Sequence, residues 1–330
     1  MNIPPFPDDV ATEELIVIDY GLLVIGDSRE IGKLWDAATM QGFWYLRLDD
    51  LGPSADVMYA LSHQALGLPL AEKVRLCSDD ENGSFGYKAM GASAVDQKGT
   101  TDITEFMNIS QDDVLAYPDV MHRSYPPLIS NAMVHIIRPF VERCVSINKV
   151  LLNRLSDRLC LPEGTLCGKH SSGNRSCSEL RFLRTKPCSD GSQIALGAHT
   201  DFGSLSLLFN QLGGLQILSP ADGTWKYVKP IPGHAICNVG DALHIFSGGL
   251  LKSCVHRVMP PPGLQAQSER WSIAFFTRPC DHVILHPLVK MSGLVAVAAE
   301  EFPDIMSVHS TAAHWYTRKS TKFAVYDETH

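Results

Sequence analysis

Between Gly164 and Pro279 the chain breaks into nine short apolar segments that alternate with turn signals rich in Gly, Pro, Asn and Asp: ELRFLRT, QIALGAHT, LSLLFN, LQILS, WKYVKP, AICNVGD, LHIFSG, HRVMP and RWSIAFFTRP. Short strands this closely spaced, separated by turn residues, point to an antiparallel β-sandwich or barrel. Asp222–Gly223 supplies a hairpin turn within it. The expected fold is mainly β with flanking helices. A mixed, helix-rich region (residues 1–163) packs on the core and shapes a pocket, the β core spans 164–280, and a helical segment (281–330) follows. All three form one compact unit.

Within the first region ELIVIDYGLLVI (14–25) reads as a strand from its β-branched content. Asp27–Ser28 then opens a helix that runs to Met40 and stops at Gly42, and GFWYLRL (42–48) reads as a strand. Pro53 to Leu76 reads as two short helices broken near Gly67–Pro69. The longest helical pattern runs from Tyr125 to Leu161, with Ile129, Met133, Ile137, Phe140 and Val141 as its apolar stripe and Pro139 as a kink.

Composition narrows the function. A net charge of −8 argues against nucleic-acid or anionic-membrane partners, which require a basic face, and no apolar run reaches membrane-span length. The acidic, Pro-rich start MNIPPFPDDVATEE lacks the basic and apolar regions of a secretory signal, so a cytoplasmic location is expected. Nine cysteines without a C-x-x-C pair read as reduced, packed thiols rather than a zinc site. The partner expected is a small molecule; oligomeric state is not legible.

One constellation carries chemistry. His199-Thr200-Asp201 ends the apolar run QIALGA, and i, i+2 spacing on a strand aims both side chains at one face. With 13 histidines and 36 acids, about one such match is expected by chance, so the pair alone decides little. His256 follows 57 residues later in a second strand-like run, LKSCVHRV. Two histidines and one carboxylate on one side of a metal leave positions open for O2 and substrate, the ligand set of a non-haem Fe(II) oxygenase. Arg270-Trp271-Ser272 comes 14 residues after His256, again on an apolar strand. A guanidinium turned into a barrel needs an anion, and a bidentate carboxylate with Ser272 donating a further hydrogen bond satisfies it.

These residues, in this order and spacing, resemble the iron(II)/2-oxoglutarate-dependent dioxygenases of the isopenicillin N synthase-like group. GAHTDFGSLSLLFNQLGGLQIL, GHAICNVGDALHIFSGGLLKSCVHRVMPP and ERWSIAFFTRP carry the likeness in the second half, and IVIDY, GFWYL, LPLAEKVRL and SFGYKAMG in the first. The resemblance implies a double-stranded β-helix core (jelly-roll, cupin-like) with His199, Asp201 and His256 as catalytic iron ligands. Arg270 and Ser272 would hold the distal carboxylate of 2-oxoglutarate. The implied reaction couples oxidative decarboxylation of 2-oxoglutarate by O2, giving succinate and CO2, to hydroxylation, desaturation or ring rearrangement of a prime substrate. Asn238-Val239-Gly240-Asp241 is similar to the group's turn between core strands and reads as structural.

The sequence departs from the group upstream of His199. Where many members have Asn-x-Tyr, this chain has Leu183-Arg184-Thr185, so Thr185 is left as the cosubstrate-side hydroxyl. Arg181 or Arg184 is then expected to reach the pocket and meet an acidic or phenolic substrate. On strict alternation the choice falls on Arg181, and a bulge would shift it to Arg184. Phe85, Tyr87, Phe106, Phe209 and Trp271 are candidate pocket walls. The LRFLRTKP segment is similar to fungal secondary-metabolism oxygenases, implying a small aromatic or polyketide-type substrate. Three alternatives stay open: a same-fold Fe(II) oxidase whose Arg-x-Ser holds a substrate carboxylate, a non-catalytic ligand-binding module, and a zinc hydrolase, although H-E-x-x-H is absent.

Overall fold

The computed structural model describes residues 3–49, 51–76, 85–96, 98–188 and 193–321. Twelve strands build two facing sheets. In chain order they are β1 Val17–Asp19, β2 Phe43–Arg47, β3 Gly86–Lys88, β4 Thr104–Ser110, β5 Glu179–Thr185, β6 Leu196–His199, β7 Leu205–Asn210, β8 Leu215–Leu218, β9 Trp225–Tyr227, β10 His234–Val239, β11 His256–Val258 and β12 Arg270–Thr277. The larger sheet runs β1-β2-β10-β7-β12-β5-β4-β3 and the smaller β6-β11-β8-β9. Every pairing is antiparallel except β1 with β2. This is a double-stranded β-helix core with flanking helices. Strands from both sides of residue 163 share the larger sheet.

Strand alternation sorts the larger sheet into two chemistries. Trp44, Leu46, Phe182, Leu205, Leu207, Cys237, Ile273 and Phe275 point outward into the main hydrophobic core, onto which the helices Gly52–Leu66 and Arg138–Arg158 pack. Burying each such aromatic or aliphatic side chain stabilises by roughly 1.5–3 kcal/mol. The inner face pairs with the smaller sheet through a second cluster of Phe43, Tyr45, Leu215, Ile217 and Ile236. Beyond that cluster the inner face turns polar, and the functional cavity opens there.

Several local expectations change. The 14–25 run forms a strand only over Val17–Asp19; Asp19 then caps a helix, Tyr20–Ile25, by accepting from Leu22 N, and Gly26 closes it at φ 80°. LHIFSG is the helix Asp241–Phe246 rather than a strand. The helix expected from Tyr125 begins as Pro127–Ala132, widens into a π-helical turn at Met133–Ile137 and continues as Arg138–Arg158. Pro139 lacks an N–H and its ring crowds the preceding turn, and widening the helix there relieves both. No helix among the described residues is long and apolar enough to cross a membrane.

Candidate active site

His199 closes β6 and His256 opens β11, and the two are direct cross-strand partners. Their rings sit 4.3 Å apart. Asp201 lies two residues past the end of β6, so its carboxylate is placed by hydrogen bonds rather than by strand alternation as expected. Its Oδ2 accepts from Ser206 Oγ at 2.5 Å and Asn238 Nδ2 at 2.7 Å. That leaves Oδ1 facing both imidazoles, 3.9 Å from His199 Nε2 and 3.8 Å from His256 Nε2. The loop carrying Asp201 is pinned from below: Gly240, Asp241 and Ala242 donate backbone hydrogen bonds to Ser204 O, Asp201 O and Gly203 O. A side chain at Gly240 would collide with Gly203 O, so the close approach requires glycine.

The donor set fits a divalent metal. One ligand atom from each of His199, Asp201 and His256 lies within 4.8 Å of the others, the one such cluster among the described residues. Each imidazole turns Nδ1 to a carbonyl, His199 to Gly197 O at 2.8 Å and His256 to Cys254 O at 3.1 Å. A carbonyl accepts, so Nδ1 carries the proton and the Nε2 lone pair is left for the metal. The electrostatics agree. Burial, together with the neighbouring His256, pushes the His199 pKa down to about 4, keeping it neutral. Burial works to raise the Asp201 pKa, but the two histidines, Asn238 and Ser206 outweigh it and hold the carboxyl below its ordinary value.

Arg270 and Ser272 line the same cavity from β12. Arg270 is 3% exposed, donates Nε to Gly213 O at 2.7 Å and Nη1 to Ser272 Oγ at 2.9 Å, and has no carboxylate partner among the described residues. Burial lowers its pKa only to about 10, so it stays a cation at neutral pH. Gly214, at φ 110°, lets the β7–β8 turn pass beside this guanidinium, where a Cβ would come within 3.1 Å of Nε. A buried cation with no anion of its own is a binding site for one.

The cavity holds about 290 Å³ between the sheets. Arg181 enters it, as does Leu183, both on the inner face of β5. Thr185 shares that face, but its hydroxyl bonds Thr104 Oγ1 at 2.9 Å and it does not line the cavity, so the expected cosubstrate hydroxyl is withdrawn. Arg184 points outward, ion-paired to buried Glu105 at 2.9 Å, and lies outside the cavity. Phe209 also faces outward, edge-on to Phe140, and borders a separate cleft of about 590 Å³ that contains none of the metal cluster. Trp271 stacks on His63 at 3.7 Å on the helix side. Of the aromatic candidates only Phe106 lines the cavity. Phe85 is buried against His122, and Tyr87 donates to Glu105. Sequence reasoning missed Lys88, Asn108, Phe276, Arg278 and Tyr316, all of which line the cavity, and it read Asn238 as a turn residue although Asn238 orients Asp201.

Comparison with known proteins agrees with this geometry. The profile of the 2OG-Fe(II) oxygenase superfamily matches residues 174–279, which carry every one of the site residues from His199 to Ser272. A 2-oxoglutarate-dependent dioxygenase of Gibberella zeae is 31% identical over 98% of this chain and 90% of its own length. Another, frbH of a Dothideomycetidae species, is 32% identical over 88% of each. The crystal structure of a full-length Neurospora crassa protein in complex with alpha-KG shares the fold, with a TM-score of 0.76 at 21% identity over 95% of this chain and 99% of that one. The chain belongs to the 2OG-Fe(II) oxygenase superfamily. It is a 2-oxoglutarate-dependent dioxygenase, an oxidoreductase that works with Fe(II), 2-oxoglutarate and O2, which sets aside the cosubstrate-free oxidase, the binding module and the zinc hydrolase.

Proposed function

We propose that His199, Asp201 and His256 hold the iron and that Arg270 with Ser272 holds the distal carboxylate of 2-oxoglutarate. The observation that carries this is the pairing, in one cavity, of a three-donor cluster with a buried arginine that lacks a counter-ion among the described residues. Iron bound there supplies oxygen activation coupled to the decarboxylation of 2-oxoglutarate to succinate and CO2, with oxidation of the prime substrate. The protein's part is positional. Asn238 and Ser206 aim one carboxylate oxygen at the metal, Gly197 and Cys254 set both imidazole tautomers, and Gly213 fixes the reach of Arg270. The walls supplied by Phe43, Leu196, Leu208 and Val258 keep water away from the reacting atoms.

The prime substrate is a small organic molecule of the aromatic or polyketide type met in secondary metabolism, oxidised in the cytoplasm. A small cavity with Phe106, Phe276 and Leu183 in its wall supports that class. The test is anaerobic titration of the protein with Fe(II) and then 2-oxoglutarate. One equivalent of each should bind to the wild type, Asp201→Ala should take up neither, and Arg270→Ala should take up iron alone. Iron uptake by Asp201→Ala equal to wild type would refute the ligand assignment.

A further inference from the structure

The cavity has a second charged end, away from Arg270. Lys88, Arg181 and Arg278 line it, delivered by β3, β5 and the residue after β12. Two carboxylates answer these three cations. Asp102 pairs with Lys88. Glu179 takes both guanidiniums on the same oxygen, Oε1, Arg181 Nη2 at 2.7 Å and Arg278 Nη2 at 2.9 Å. Each makes one further hydrogen bond, Arg278 to Cys177 O and Arg181 to Asn108 Oδ1, but Arg278 is enclosed between Glu179 and the Tyr316 ring at 8% side-chain exposure, whereas Arg181 keeps 17%. Among the described residues one positive charge is thus left over, and it belongs chiefly to Arg181.

Arg181 is held rigidly with one edge free. Its guanidinium stacks over Phe106 at 4.2 Å and Phe276 at 4.9 Å. Nε donates to Asn108 Oδ1 at 2.8 Å and Nη2 to Glu179, while Nη1 has no partner among the described residues. The side chain keeps 17% of its surface exposed in the cavity. Lys88, whose ammonium also lies over the Phe106 ring, has its pKa lowered by burial and by Arg181 against the pull of Asp102, so the two cations feel each other.

Both carboxylates of the cosubstrate are assigned elsewhere, one to Arg270 and one to the metal. Arg181 sits opposite Ala274 on β12, four residues from Arg270, or about 13 Å at the ~3.3 Å rise of a strand. A five-carbon diacid anchored at Arg270 and spent on the metal at its other end brings no anion to Arg181. An uncompensated guanidinium lining a cavity calls for one from another molecule.

We infer that the prime substrate is an organic acid whose carboxylate docks on the free edge of Arg181 beside Lys88, its carbon skeleton extending toward the metal cluster. This rests on the metal and cosubstrate assignments above for which end is which.

The test is isothermal titration of the protein loaded with Fe(II) and saturating 2-oxoglutarate under anaerobic conditions, and of a metal-free Arg270→Ala protein, in which the other open cation of the cavity is removed. The probes are benzoate, cinnamate and octanoate, each against its own amide. At least one acid should bind roughly tenfold or more tightly than its amide, the scale of one charge-assisted contact. Arg181→Gln should bring acid and amide together, Arg181→Lys should keep part of the preference, and both should bind iron and 2-oxoglutarate as wild type does. Lys88→Met, which leaves Glu179 paired, should shrink the preference and decides the matter if Arg181→Gln does not fold. The inference fails if no acid outbinds its amide, or if the preference survives the decisive variant. Failure of the wild type to bind iron or 2-oxoglutarate would instead strike the earlier assignment, since acid preference is read in the metal-free Arg270→Ala protein as well.

Discussion

Asn238 Nδ2 lies 2.7 Å from Asp201 Oδ2, so an amide on β10 decides which carboxylate oxygen faces the two histidines. Ser206 Oγ bonds the same oxygen, and register explains the convergence, since Asn238 and Ser206 are cross-strand partners. Asn238→Ala should therefore weaken Fe(II) binding by about 10- to 100-fold, the usual cost of losing a group that orients a metal ligand, while circular dichroism reports an intact fold. Unchanged iron affinity in a combined Asn238→Ala, Ser206→Ala protein would show that Asp201 is positioned by its backbone alone.

Arg270→Ala should raise the 2-oxoglutarate concentration needed for half-maximal succinate release. Losing a buried, charge-assisted pairing costs about 2–5 kcal/mol, most of it from the carboxylate left unpaired. Succinate release matching wild type at low 2-oxoglutarate would mean that Arg270 has another role.

Arg184 belongs to a buried network on the opposite face. Glu105, 2% exposed, takes Lys73 Nζ at 2.8 Å, Tyr87 Oη at 2.5 Å and Arg184 Nε at 2.9 Å. Glu105→Ala leaves buried Lys73 uncompensated and Arg184 with only its longer pairing to Glu269 at 3.8 Å, and should destabilise by about 3–5 kcal/mol, seen as a lower urea midpoint. A midpoint equal to wild type would show that water or another acid replaces the carboxylate.

His170 bridges Leu166 O and Ser204 Oγ, each at 2.7 Å, directly beneath the metal loop. Burial pushes its pKa down to about 4. A His pKa lowered on folding favours the neutral form, so its contribution is full above the unfolded value near 6.5 and is lost as pH falls from there to about 4. The loss is at most about 3 kcal/mol. His170→Gln should flatten this part of the melting-temperature profile relative to wild type, and parallel acid limbs would exclude the role.

His199 with Asp201, Arg270 with Ser272, and Arg181 by parity with Thr185 are legible in the sequence as spacings, although Asp201, past the end of β6, is aimed by Ser206 and Asn238 and not by alternation. Parity also speaks against Trp271, since the alternation that turns Arg270 and Ser272 inward sends the residue between them outward, and Phe209 is likewise out of step with Ser206 and Leu208. Other errors had no local signal. LHIFSG is six residues with no clear period, which suits strand and helix alike, and in the fold Asp241 opens a helix there against the metal loop. Thr185 faces the expected side but is used by Thr104, a residue 81 positions earlier. Tyr316 reaches the cavity from the helix Ala312–Thr321, far outside any motif.

The place of β2 in the larger sheet sets an order on how the chain is assembled. Residues 43–47 hydrogen-bond on one edge to β1, a local parallel partner, and on the other to β10, nearly two hundred residues later. During synthesis the early strand therefore waits with an open edge and an unburied Phe43 and Tyr45 until residue 239 has left the ribosome. Contacts this remote carry a large loop-closure cost and slow folding. The same arrangement exposes the nascent first half to edge-to-edge association for most of translation.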